Sequence, residues 1–152
     1  MRVGIIADTH GLLRPEAERA LDGVDLIIHA GDVGDSGILT RLKGIAPVFA
    51  VRGNADTAPW TQELPATTVV EADGASFYVL HNLAELDLRP EASKFDFVVS
   101  GHSRRPEQWE RNGVVYINPG SAGPKRFHLP ITLALVNLEK RPWKAEFVQL
   151  AR

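Results

Sequence analysis

Metal-competent side chains recur at the ends of apolar runs along this chain. GIIADTHG ends on Asp8 and His10, LIIHAGDVG on Asp32, and FAVRGNAD on Asn54 and Asp56. FYVLHN ends on His81 and FVVSGHS on His102. Asp8 and His10 stand two residues apart, so on an extended segment they share a face and can grip one cation. Two carboxylates, an amide oxygen and three imidazoles suit Mn2+, Fe or Zn2+, and are too nitrogen-rich for Ca2+. The chain has no cysteine, which excludes thiolate sites and disulfides. A carboxylate such as Asp32 can bridge two metals about 3.5 to 4 Å apart, the arrangement that clamps attacking and leaving oxygens in phosphoryl transfer. The donor set therefore points to phosphoester hydrolysis.

Such donors need elements that bring them to one place. The 152 residues, 44% of them hydrophobic, are enough for one buried core, so a single domain over 1–152 is expected. Apolar, β-favouring runs predict strands at Val3–Ala7, Val24–Ala30, Pro47–Val51, Thr67–Val70, Ser76–Leu80 and Phe95–Val99. Three more follow at Val114–Ile117, Ile131–Leu138 and Ala145–Leu150. Between the first strands, RPEAERALDG carries an early Pro15, acidic Glu16 and Glu18 and a terminal Gly23, the marks of a short helix. DSGILTRLKG repeats the plan, with Asp35 or Ser36 as N-cap and Gly44 as C-cap. A further short helix is expected near Leu88–Lys94, and a hairpin turn at Asp73–Ser76. Parallel strand ends share one edge of a sheet, and that edge is where the donors fall.

The series DTHG, GDVGD, GNAD, LHN and GHS, in this order and spacing, resembles the calcineurin-like metallophosphoesterase family, specifically its small single-domain bacterial and archaeal phosphodiesterase branch. The likeness covers Met1 to about Pro124, and INPGSAGPKRF extends it. It implies an α/β fold, a four-layer αββα sandwich of two packed mixed sheets flanked by helices, around a dinuclear centre. Carried onto this chain, Asp8 and His10 would hold metal one, Asp32 would bridge, and Asn54, His81 and His102 would hold metal two. The implied activity is phosphodiester hydrolysis by a metal-activated hydroxide, with Asn54 and an arginine, Arg104, steadying the phosphoryl oxygens. The expected metal is Mn2+, with Fe, Zn2+ or Ni2+ as alternatives.

The chain departs from the family pattern at three places. Where GHTH or GHSH gives metal one a second histidine, this chain has Arg104, which is always protonated and cannot ligate. A unit charge about 5 Å from a dication, at an effective dielectric near 20, is repelled by roughly 7 kcal/mol before carboxylates and phosphate offset it. Either Arg104 swings away from metal one or metal one binds weakly. Ala55 stands where larger phosphatases carry a histidine acid, which favours esters with low-pKa leaving groups. Asn82 replaces the glycine after His81. A degenerate member with one weakened metal site, serving as a phosphate- or nucleotide-binding or scaffold module, is the alternative function.

Several polar residues have a plain structural reading beside the functional one. His29 lies inside a strand and reads as a hydrogen-bonded core residue, while Asp56 is either a turn former or an orienter of a ligand. Arg104 and Arg105 read equally as a solvated loop pair and as a phosphate clamp. His128, Lys125 and Arg126 read as surface loop residues, and Trp60 and Trp109 as either site walls or packing. PGSAG lacks the first glycine of a nucleophile elbow and the acid that should follow, which argues against a serine hydrolase. GIIADTHG lacks the G-x-G-x-x-G spacing of a dinucleotide site. With 17 basic and 19 acidic residues the net charge is −2, which argues against sequence-independent nucleic-acid binding. No run is apolar enough for a membrane span. The expected setting is cytoplasmic, with a small phosphoester as substrate, and a homo-oligomer is left open.

Overall fold

The computed structural model describes residues 1–152. Strands β1 (Arg2–Ile6), β2 (Leu26–His29) and β3 (Val48–Ala50) alternate with helices α1 (Pro15–Ala20) and α2 (Ser36–Lys43). A hairpin of β4 (Thr67–Ala72) and β5 (Ala75–Leu80) follows, then β6 (Phe97–Val99), β7 (Glu107–Arg111), β8 (Val114–Asn118), β9 (Ile131–Asn137) and β10 (Ala145–Ala151). They form two five-stranded mixed sheets, ordered β10-β9-β1-β2-β3 and β4-β5-β6-β8-β7. In the first sheet β1, β2 and β3 run parallel, and in the second β5, β6 and β8 do. The expected two-sheet α/β sandwich is therefore present.

Strand alternation divides the apolar residues between the layers. Val3, Ile5, Leu26 and Ile28 face the second sheet and pack with Phe77, Val79, Phe97 and Val99 in the central core. Phe77 and Phe97 lie stacked there, with centroids 4.4 Å apart. Ile6 and Ile27 face the other way, onto Ala17 of α1 and Ile38, Leu39 and Leu42 of α2. Pro15 opens α1 and Asp35 caps α2, its carboxylate accepting from the Gly37 N–H at 3.0 Å.

The outer face of the second sheet has a thinner cover. Tyr78, Val98 and Tyr116 lie under Leu83, Leu86, Leu88 and Phe95, carried by a 3-10 turn at Leu83–Glu85 and the loop after it. No helix forms at Leu88–Lys94, correcting that expectation. Pro90 sits early in the segment, Lys94 takes a left-handed φ of 62°, and only single turns close between them. A segment this short cannot offset the cost of helix nucleation unaided. Asp73 and Gly74, with φ of 49° and 82°, make the β4–β5 turn where it was expected.

Candidate metal centre

The loops leaving β1, β2, β3, β5 and β6 meet at one edge of the sandwich. The β1 and β2 loops run side by side, the Asp8 N–H donating to Gly31 O and the His10 N–H to Asp32 O, both at 3.0 Å. Asp8, His10, Asp32, His102 and Arg104 all have left-handed φ, between 46° and 69°. Each such position costs a non-glycine residue about 1–2 kcal/mol, and strain of this kind collects where side chains must be aimed rather than where the fold needs them. Gly31, at φ 99°, is required for a second reason, because a Cβ there would stand 2.7 Å from His81 Nδ1.

The donors form a buried floor and an exposed rim. Asp8, Asp32 and His81 are buried, and one donor atom from each lies within 4.8 Å of the others. His81 Nδ1 donates to Ala30 O at 2.8 Å, which fixes the tautomer and turns Nε2 into the site. Nε2 is 3.1 Å from Asp32 Oδ2 and 3.9 Å from Asp8 Oδ1. Neither His81 Nε2 nor Asp8 Oδ1 has a hydrogen-bond partner. Buried polar atoms are rarely left unpartnered, and an imidazole nitrogen 3.9 Å from a carboxylate oxygen, with a second carboxylate beside it, fits a divalent cation.

The electrostatics agree. Burial is the largest influence on His81 and favours the neutral ring, yet Asp32, the Ala30 carbonyl and the Asp8 charge together raise its pKa. Burial likewise pushes Asp32 up, but the facing His81 ring and the Ala55 N–H outweigh it and hold the carboxyl below its usual range. The carboxylates draw positive charge into the floor, and the His81 proton is the charge a metal would displace.

Asn54 and His102 are exposed at the rim, where His102 Nδ1 donates to Asn54 Oδ1 at 3.2 Å. The His102 ring stands edge-on to His81 with centroids 5.2 Å apart, and its backbone N–H donates to Asp8 Oδ2 at 3.2 Å. His10 Nε2 lies 3.5 Å from Asp32 and 3.7 Å from Asp8, but it accepts from Arg104 Nη2 at 2.7 Å. The structure thus converges the donor atoms of Asp8, Asp32 and His81, places His10 beside them in contact with Arg104, and leaves Asn54 and His102 at the rim.

Other residues settle into structural roles. His29 accepts from the Gly31 N–H at Nδ1 and donates from Nε2 to Thr9, whose hydroxyl donates to Val33 O. Fully buried, it is neutral, its pKa lowered by burial to about 4. Asp56 is an orienter: its carboxylate accepts from Val33, Gly34 and Gly53 N–H groups at 2.9 to 3.1 Å, tying the Asp32 loop to the Asn54 loop. Asn82 caps the 3-10 turn through the Ala84 N–H, so its side chain is accommodated after His81. Ser121 of PGSAG donates to Asp8 O at 3.1 Å. His128 is exposed, with no hydrogen bond or ion pair to the cluster. Trp60 packs against the helical layer, whereas Trp109 stacks on Tyr116 and lines a groove beside His102. Sequence reasoning missed Asn118, whose Nδ2 donates to Gly101 O and Ser103 Oγ, both at 2.9 Å, and fixes the loop carrying His102 and Arg104.

A carboxylate–imidazole floor at converging strand ends of a two-sheet α/β sandwich defines a metallophosphoesterase. The sequence profile of the calcineurin-like phosphoesterase superfamily domain matches residues 1–141, and the chain belongs to that family. It is 33% identical over 149 residues to a probable metallophosphoesterase of Methanothermobacter thermautotrophicus, covering 89% of this chain and 85% of that one. A probable metallophosphoesterase of Methanocaldococcus jannaschii is 34% identical over 134 residues, covering 80% and 68%. Among solved structures, that of an archaeal phosphodiesterase superposes with a TM-score of 0.80 at 23% identity, over 97% of this chain and 100% of that one.

Proposed function

We propose that this metallophosphoesterase hydrolyses a small phosphodiester, using a divalent cation held by Asp8, Asp32 and His81 with His102 and Asn54 at its rim. The observation that carries the reading is the pair of buried, unpartnered atoms, Asp8 Oδ1 and His81 Nε2, aimed at one space. Mn2+ is the preferred ion, with Fe, Zn2+ or Ni2+ satisfying the same donors. Such an ion supplies a Lewis acid that lowers the pKa of water and takes up charge developing on the phosphoryl group.

The chain's own groups position the ester and neutralise it. Arg104 and the Asn54 amide offer donors to the phosphoryl oxygens, and the His102 ring borders the same face. A cleft of about 390 Å³, lined by Arg52, Asn54, Thr67, His81 and Asn82 among others, opens on one side. A smaller groove of about 120 Å³, lined by His102, Ser103, Trp109 and Asn118, shares Asn82 with it. Two recesses at one centre suit a phosphorus bearing two substituents. Ala55 offers no proton, so leaving-group protonation falls to water or another residue and low-pKa leaving groups are favoured. The scaffold alternative is not favoured, because the donor floor is intact.

Asp32→Asn tests the reading. It keeps the shape and the Ala55 hydrogen bond while removing the charge that draws the cation. Expected is a loss of at least about 100-fold in Mn2+-dependent cleavage of an aryl phosphodiester, more than the loss typical of removing a group behind a ligand. Undiminished turnover would overturn the assignment.

A further inference from the structure

The donor set is that expected for two cations, yet a guanidinium already takes one of the donors. Arg104 is buried, at 9% exposure, and its Nη2 reaches His10 Nε2 at 2.7 Å. A guanidinium only donates, so the lone pair with which His10 would ligate is taken. His10 Nε2 itself lies close to both carboxylates, 3.5 Å from Asp32 and 3.7 Å from Asp8.

The placement is built into the loop rather than being one rotamer of a long side chain. Arg104 sits at φ 63°, a conformation unfavourable for arginine. The loop around it is pinned by the two Asn118 bonds and by the Ser103 N–H to Gly101 O at 2.8 Å. A local strain held by three contacts is a structural commitment to turning this residue inward.

Charge counting agrees with the geometry. Asp8, Asp32 and Arg104, all buried, carry a formal charge of −1 together. One divalent ion brings the pocket to +1, which a phosphodiester monoanion neutralises. A second divalent ion would bring it to +3 beside a fixed guanidinium, and uncompensated charge of that size is not tolerated in a buried site.

We infer that the centre binds one divalent ion, and that the Arg104 guanidinium occupies the second cation position, where its remaining N–H groups bind a phosphoryl oxygen. This rests on the proposed metallophosphoesterase reading and specifies its site. The family pattern would put two ions here; this chain keeps His10 as the acceptor that holds the arginine in place.

The test is metal content and phosphate affinity, neither of which requires turnover. Wild-type protein dialysed against Mn2+ should hold one ion per chain by elemental analysis and give the six-line spectrum of isolated Mn2+ by electron paramagnetic resonance. Arg104→His should hold two ions and show exchange coupling between them. With one Mn2+ bound, inorganic phosphate should bind at least about 10-fold more weakly to Arg104→Ala than to wild type, while Arg104→Lys retains most of the affinity. Two ions in the wild type, or unchanged phosphate affinity in Arg104→Ala, would overturn the inference and leave the phosphoesterase reading standing. No bound ion in the wild type would overturn both. The wild-type measurement is decisive even if a variant fails to fold.

Discussion

Two polar regions lie buried within a few residues of each other and obey opposite rules. Behind the strand ends, Thr9, His29 and Asp56 have every side-chain polar atom engaged: Thr9 with His29 and Val33, His29 also with Gly31, and Asp56 with three backbone N–H groups. In front of them, Asp8 Oδ1 and His81 Nε2 are equally buried and make no hydrogen bond, Nε2 facing the Asp32 carboxylate at 3.1 Å. A satisfied buried network contributes to folding, whereas an orphaned buried pair costs folding free energy and is retained for what it binds. The two histidines express the contrast directly. His29, enclosed by apolar strands and its two hydrogen bonds, is driven neutral, while His81, between two carboxylates, is driven towards its charged form.

If that division holds, the largest loss of stability should come from the satisfied region. Asp56→Ala removes a carboxylate 5% exposed and strands the Val33, Gly34 and Gly53 N–H groups. The expected cost is about 4 kcal/mol, at the upper end for a single substitution. In a protein of this size that lowers the Tm by roughly 10 °C. Because Asp56 also sets the loop carrying Asp32, Mn2+ affinity should fall about 10- to 100-fold. A Tm within 2–3 °C of wild type by calorimetry, roughly the shift expected for about 1 kcal/mol, would show that the three bonds contribute little.

The same division explains what the sequence disclosed. The ligand series was legible because each ligand ends an apolar run, and parallel strand ends must share an edge. Asp35 and Gly44 at the ends of α2, and Asp73–Gly74 in the first hairpin, were legible because caps and turns act through adjacent residues. Strand β7 was not foreseen: EQWER is charged and is an edge strand, held by backbone pairing to β8 rather than by a buried face. Its one local signal was Asn112–Gly113, whose φ values of 53° and 79° make the connecting hairpin turn. Ser121 and Asn118 were invisible for another reason. Their hydrogen bonds, to Asp8 and to Gly101 and Ser103, span 113, 17 and 15 residues and follow from the fold, not from local pattern. Arg104 could be seen as an anomaly of position, but its contact with His10, 94 residues away, could not.

A pH titration of stability sharpens the contrast at a middle scale. His29 in the folded protein has a pKa of about 4 against 6.5 for an unperturbed imidazole. As pH falls the unfolded chain takes up this proton first, so the stabilisation is fully present above 6.5, declines between 6.5 and 4, and is gone below 4. The shift is equivalent to about 3 kcal/mol. His29→Gln keeps a donor and does not titrate. Its stability should fall less steeply than wild type from pH 7 to pH 4 in urea unfolding, by about that amount. Parallel curves for the two proteins would place the acid sensitivity elsewhere.

The orphaned region should respond in the reverse way, with the smallest change in stability and a complete change in binding. His81→Asn keeps a donor at the position of Nδ1, so the bond to Ala30 O survives, and it deletes Nε2, which pairs with Asp32 at 3.1 Å only while the ring is protonated. The raised His81 pKa stabilises the metal-free protein below pH 6.5 and loses that effect as pH rises through the folded value, so the comparison belongs at high pH. At pH 9 in a chelator the variant should match wild type within about 1 kcal/mol, because no satisfied bond has been broken. Adding Mn2+ should then raise the Tm of wild type and leave that of the variant unmoved, since only a folded state that binds the ion is stabilised by it. A variant markedly less stable in chelator would mean that His81 is held by the fold and not by the metal. In that case the line drawn between the two regions would fail at its most exposed point.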